Sequence, residues 1–118
     1  MKDVQVVYPS TATTADHTVS FTTRSKGGIF VIHATAETAT ASVVFTIRGV
    51  DPVAATTWDI LASAAVDAVG TRVLRVYPGL TAVGNLTATD ILPEAIEIDC
   101  NHSDTDSFTY SISFIGVD

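Results

Sequence analysis

The chain has 118 residues, 13 acidic against six basic, and a formal charge of −7. That length holds one hydrophobic core and is short for two ordinary domains, and the acidic balance repels phosphate backbones and anionic headgroups, which argues against nucleic acid and membrane surfaces as direct partners. Cys100 is the only cysteine, so an internal disulfide and a multi-thiolate metal site are excluded and a reducing compartment fits.

Strand signals recur along the whole length. Val4 to Tyr8 is the first, stopped by Pro9, and the Ser/Thr/Ala stretch to Ala15 reads as a loop or arm, which divides the chain into an N-terminal strand and arm (1–15) and a single sandwich domain (16–118). With no apolar leader after Met1 and no run near ~18 apolar residues, the protein reads as made and used in solution.

His17 to Thr23 places Val19 and Phe21 on one face, and Lys26-Gly27-Gly28 reads as a turn. Ile29 to Ala34 is apolar on both faces, as expected of a strand covered on two sides, with His33 a core or interface histidine. Residues 34–41 lack a helical stripe and read as a loop or strand ends. In 42–50, Val43, Phe45 and Ile47 oppose Val44, Thr46 and Arg48.

Beyond the Asp51-Pro52 turn, Trp58, Ile60 and Ala62 share one face of the next strand. Arg72 to Tyr77 alternates up to Pro78-Gly79, and 81–90 reads as a polar loop. Ile96, Ile98 and Cys100 then point inward, as do Phe108, Tyr110, Ile112 and Phe114. About eight strands and no helix predict an all-β, two-sheet antiparallel β-sandwich, jelly-roll-like, with an immunoglobulin-like sandwich as the alternative. Nearly half the residues are apolar and only 16% are charged. Either buried intermolecular surface or the many Ala and Val residues of a two-layered sheet protein accounts for this balance.

Motifs for chemistry are sparse. Asp99, Asp104 and Asp106 could offer oxygen ligands to calcium, but their loop lacks the glycine and terminal glutamate of a calcium loop, and hairpins use Asp and Asn for local backbone bonds. His17, His33, His102 and Cys100 show no zinc spacing. Glu94 and Glu97 read as solvated acids, and no Gly-x-Ser-x-Gly elbow or phosphate loop occurs, so neither an enzyme nor a cofactor is expected. The sequons at Asn85 and Asn101 matter only in a secretory pathway.

Phe45-Thr46-Ile47-Arg48-Gly49-Val50-Asp51-Pro52, Trp58 to Ala65, Thr71 to Leu80, Asp90-Ile91-Leu92-Pro93 and Asp104 to Ser111 carry a resemblance over residues 28–115 to a small structural protein family of tailed bacteriophages. The resemblance implies a virion protein, most simply a capsid decoration or cement protein on the outer surface of the head, made in the host cytoplasm. Its partners would be the major capsid protein and itself, as a dimer or trimer. Val4, Val6, Tyr8, Trp58, Arg72, Arg75 and Tyr77 are the candidate interface residues. Receptor- or glycan-binding on the head or tail surface, through Trp58 or Tyr77, and a tail or connector role are the alternatives. Relatives continue from Leu-Pro into basic strand residues, whereas this chain has Glu94-Ala95-Ile96-Glu97-Ile98-Asp99, implying an acidic outer face or a rewired contact with a basic coat surface.

Overall fold

A computed structural model describes residues 3–118. Among them lie nine strands and no helix: β1 (Val4–Thr13), β2 (His17–Thr22), β3 (Gly27–Glu37), β4 (Val43–Val50), β5 (Thr57–Ala62), β6 (Gly70–Val76), β7 (Thr87–Ala88), β8 (Ala95–His102) and β9 (Phe108–Val117). They form a five-stranded sheet of order β1-β9-β3-β6-β7 packed on a four-stranded sheet of order β2-β8-β4-β5. Strands pair in nested fashion, β4 with β5, β3 with β6, β2 with β8 and β1 with β9. One long hairpin folded over on itself produces that nesting, so the connectivity is that of a jelly roll. All ladders are antiparallel except the two-residue β6–β7 pairing, which is parallel.

Alternation builds the core. Phe108, Tyr110, Ile112 and Phe114 of β9 face Phe45, Ile47, Ile96, Ile98 and Cys100 of the opposite sheet, all at most 2% exposed. Phe114 lies 5.0 Å from Phe30 in its own sheet and 5.0 Å from Phe21 in the other, so three rings bridge the layers.

Several expectations change. β1 does not stop at Pro9 but continues to Thr13, paired with β9 through two register shifts; Pro9 is tolerated because β1 is an edge strand. Residues 4–13 therefore form sheet and not an arm, while Met1 and Lys2 lie outside the described residues. Gly27 and Gly28 are strand residues and make no turn. A Cβ on Gly28 would lie 2.5 Å from the Phe114 ring, and one on Gly27 would lie 2.3 Å from the Val76 carbonyl oxygen.

The segment 81–90 contains β7, too short to leave a periodic signal. In β5 the core residue is Leu61, not the trio Trp58, Ile60 and Ala62. A register shift between Ile47 and Arg48 makes Ile60 an extra residue and reverses the face on either side of it. His33 is exposed, its Nδ1 2.9 Å from the Thr71 hydroxyl, because odd-numbered positions of β3 point away from the core.

Candidate functional site

The two outer faces of the sandwich differ in chemistry. On the four-stranded sheet, pairing places Thr18, Ser20, Thr46, Arg48, Glu97 and Asp99 outward, with Asp59 at its margin. Arg48 Nε donates to Asp59 Oδ1 at 2.9 Å, and the guanidinium lies 3.9 Å from Glu97 and 3.6 Å from Asp99. Its positive charge is further stabilised by the Asp59 hydrogen bond and by the Asp99 and Glu97 charges, which raise its pKa against the opposing effect of burial. The outward acids of β8 thus share one guanidinium on a wet surface that stays net acidic. This is what an antiparallel sheet facing water looks like.

The five-stranded sheet has the opposite character. Val4 pairs with Ile115, Ile115 with Ile29 and Ile29 with Arg75 in one row; Val6, Ser113, Val31 and Val73 make the next. These positions alternate with the buried ones, so they form the outer face, and among the described residues no second layer covers them. Ile29 and Val31 are half-buried by their neighbours alone, which corrects the expectation of a strand covered on two sides. Val4 and Val6 are 70% and 74% exposed. None of the 13 acidic residues occupies an outward position in these rows, and Arg75 is their single charge. The two rows make a largely β-branched outer face without carboxylates on a chain of −7.

The candidate interface residues divide accordingly. Val4, Val6 and Arg75 stand on this face, and Tyr77 borders it, its hydroxyl donating to the Asp118 carbonyl at 2.7 Å. Tyr8 and Arg72 do not join them. Tyr8 turns inward opposite Ile112 and packs on the core, and Arg72 is paired with the core residue Ile32.

Trp58 lies elsewhere, at the end of β5, 46% exposed with its ring over Gly49, where a Cβ would lie 2.2 Å from Cζ2. Gly49→Ala is therefore expected to push the single tryptophan into water: its emission shifts to the red while stability falls by only about 1 kcal/mol. Unchanged emission would show that the ring does not depend on Gly49.

The calcium candidates are not brought together. Asp99 faces Arg48 on the outer sheet surface, while Asp104 and Asp106 share the single Thr40 hydroxyl proton, each with an oxygen 2.9 Å from Oγ1. Asp106 also accepts from the Thr40 backbone N–H at 3.0 Å, so the pair ties the β8–β9 loop to the β3–β4 loop. Among the described residues no three His, Cys, Asp or Glu side chains are placed to hold a metal ion. Compared with protein-family models, curated proteins and solved structures, the chain matches none.

Sequence spacing missed one polar cluster entirely. The Tyr110 hydroxyl, fully buried, sits 3.0 Å from His102 Nε2 and 3.4 Å from His17 Nε2, while His17 Nδ1 donates to the Ala15 carbonyl at 3.2 Å. One ordering satisfies these contacts: His102 Nε2–H donates to the hydroxyl, and the hydroxyl donates to His17 Nε2. Asp16 accepts the His102 backbone N–H at 2.6 Å, and Tyr8 lies over His17 with ring centroids 4.9 Å apart. Burial lowers the pKa of His102, aided by His17, and pushes the Cys100 thiol up to about 12. These groups bond one another inside the fold.

A polar cleft of about 530 Å³ opens where β1, the β2–β3 loop and the chain's end meet, lined by Asp3, Arg24 and Glu94 among others. The Asp3 carboxylate there accepts from Gln5 Nε2 and the Thr23 hydroxyl, both at 2.8 Å.

Proposed function

We propose that this chain is a non-catalytic structural protein of a tailed-phage virion. In this reading it is a capsid decoration protein that associates with itself and packs across junctions between major capsid subunits on the outer surface of the expanded head. The observation that carries the reading is the open apolar face formed by Val4, Val6, Ile29, Val31, Val73 and Ile115, kept clear of carboxylates in an acidic chain. The resemblance over residues 28–115 supplies the virion context. The mechanism is mass action: a protein that binds only the expanded lattice adds its binding free energy to the shell, and repeated copies multiply the effect.

Particles with and without the protein provide the test, by copy number and rupture temperature. Particles lacking it are expected to rupture at a lower temperature. The variant Val31→Asp, which buries an unpaired charge in the contact, is expected to fold with a stability change of about 1 kcal/mol and to bind particles at least a hundredfold more weakly. Shells of unchanged resistance without the protein, or full occupancy by Val31→Asp, would end this reading.

Trp58 favours a second reading, a receptor- or glycan-binding module, because its half-exposed ring offers a stacking surface. Quenching of its emission by host surface polysaccharide would support that role, and indifference would remove it.

A further inference from the structure

One end of the apolar face is hollowed. Between β3, β6 and the end of β9 lies a groove of about 190 Å³ lined by Gly28, Ile29, Arg75, Tyr77, Leu80 and Val117. Its construction follows from the sequence. Gly27 has no side chain, so the Tyr77 ring lies where a Cβ would stand, with Cδ2 2.6 Å from that position. The Tyr77 hydroxyl is held by the Asp118 carbonyl, which fixes the ring as a wall. Val117, in register with Gly27, borders the opposite side, and Arg75, in register with Ile29, borders the floor. The Tyr77–Leu80 turn, with Gly79 at φ +91° and its N–H on the Thr89 hydroxyl at 3.2 Å, brings Leu80 to the rim.

The lining is apolar throughout, so Arg75 contributes its methylene stem and its guanidinium stands at the edge. That guanidinium has no carboxylate within ion-pair distance among the described residues, unlike Arg48 on the other face. Aliphatic walls beside an unpaired guanidinium complement one kind of group: a branched apolar side chain carrying or flanking a carboxylate. The volume, equal to roughly six waters, accommodates such a side chain with its acid outside.

We infer that this groove is the anchor point of the docking face, and that the partner inserts an aliphatic side chain whose adjacent carboxylate pairs with Arg75. The inference rests on the reading of the outer face as the contact surface and names the chemistry that the partner must present. A buried aliphatic anchor with a charge-assisted bond at its rim would carry a disproportionate share of the binding, with the flat remainder of the face excluding water around it.

The probe is 4-methylpentanoate, with 4-methylpentanol as its uncharged counterpart, titrated into the full chain while amide chemical shifts are followed. Saturable shifts confined to residues 28–29, 75–80 and 117 are expected, with a dissociation constant on the order of 10 mM. The alcohol is expected to bind about fivefold more weakly. Arg75→Gln should abolish that preference, bringing acid and alcohol to equal affinity, whereas Leu80→Ala should weaken both and keep the preference. Absence of saturable shifts, or equal binding of acid and alcohol to the unaltered chain, would overturn the inference. Particle binding by Val31→Asp separates the two readings. If the probe fails while Val31→Asp still abolishes particle binding, the face stands as a contact surface without this anchor.

Discussion

Phe114→Ala is expected to destabilise the fold by about 3–5 kcal/mol, the range for removing a fully buried aromatic ring. The cost should fall at the upper end because of where the ring sits. Phe114 is in the middle of β9, which pairs with both β1 and β3, and it contacts Phe30 alongside and Phe21 across the layers, so the cavity opens between the sheets. Gly28 stands against the same ring and cannot fill the space. Since small domains are stable by only about 5–15 kcal/mol, the variant should retain little margin. Chemical denaturation measures this directly: the midpoint drops sharply while the slope with denaturant stays the same. A loss below about 1 kcal/mol would mean that the sheets close over the gap, and the three-ring bridge would then not be what joins them.

Much of this arrangement was legible from period two alone. Phe108 to Phe114 and Ile96 to Cys100 alternate without interruption, and both strands lie with the expected residues inward. Legibility failed where a residue's meaning depends on a neighbour distant in sequence. Gly27-Gly28 looks like a turn because the rings that need the space, Tyr77 and Phe114, are some 50 and 86 positions away. Ile29 and Val31 look like a strand buried on both faces because alternation cannot distinguish a face covered by the chain's own second layer from one left open. In β5 a single extra residue at Ile60 moved the core position to Leu61, and bulges leave no compositional mark.

The same limit hid the histidine cluster. His17 and His102 sit 85 positions apart and share no metal-type spacing, and only the pairing of β2 with β8 and the inward turn of Tyr110 place both rings on one hydroxyl. Of the candidate contact surface, Val4, Val6 and Arg75 were identifiable singly. The two rows that join them into a face require the strand order, which periodicity does not record.

That cluster gives the fold an acid-sensitive element. His102 is buried, and desolvation is the main cause of its lowered pKa; the nearby His17 lowers it further, and Asp16 and Asp104 offset part of the shift. Burial pushes the Tyr110 hydroxyl and the Cys100 thiol up, so neither changes charge in this range. A base whose folded pKa lies below its unfolded value of 6.5 takes up its proton more readily in the unfolded chain. Its contribution is therefore complete above pH 6.5 and is lost as pH falls from 6.5 toward the lowered value. The urea midpoint is expected to fall between pH 7.5 and 5.5, before most carboxylates titrate, and His102→Gln should flatten that slope by removing the ring. At pH 7.5, Tyr110→Phe should cost about 1–3 kcal/mol, because two imidazole nitrogens lose the hydroxyl that connects them. Cys100 supplies the mirror effect: an acid raised from 9.0 to about 12 by burial stabilises the fold below pH 9 and withdraws that support as pH climbs from 9 toward 12. A midpoint that stays constant from pH 7.5 to 5.5 in the unaltered chain would show that His102 accepts its proton without cost, and the relay through Tyr110 would have no part in holding β2 and β8 to β9.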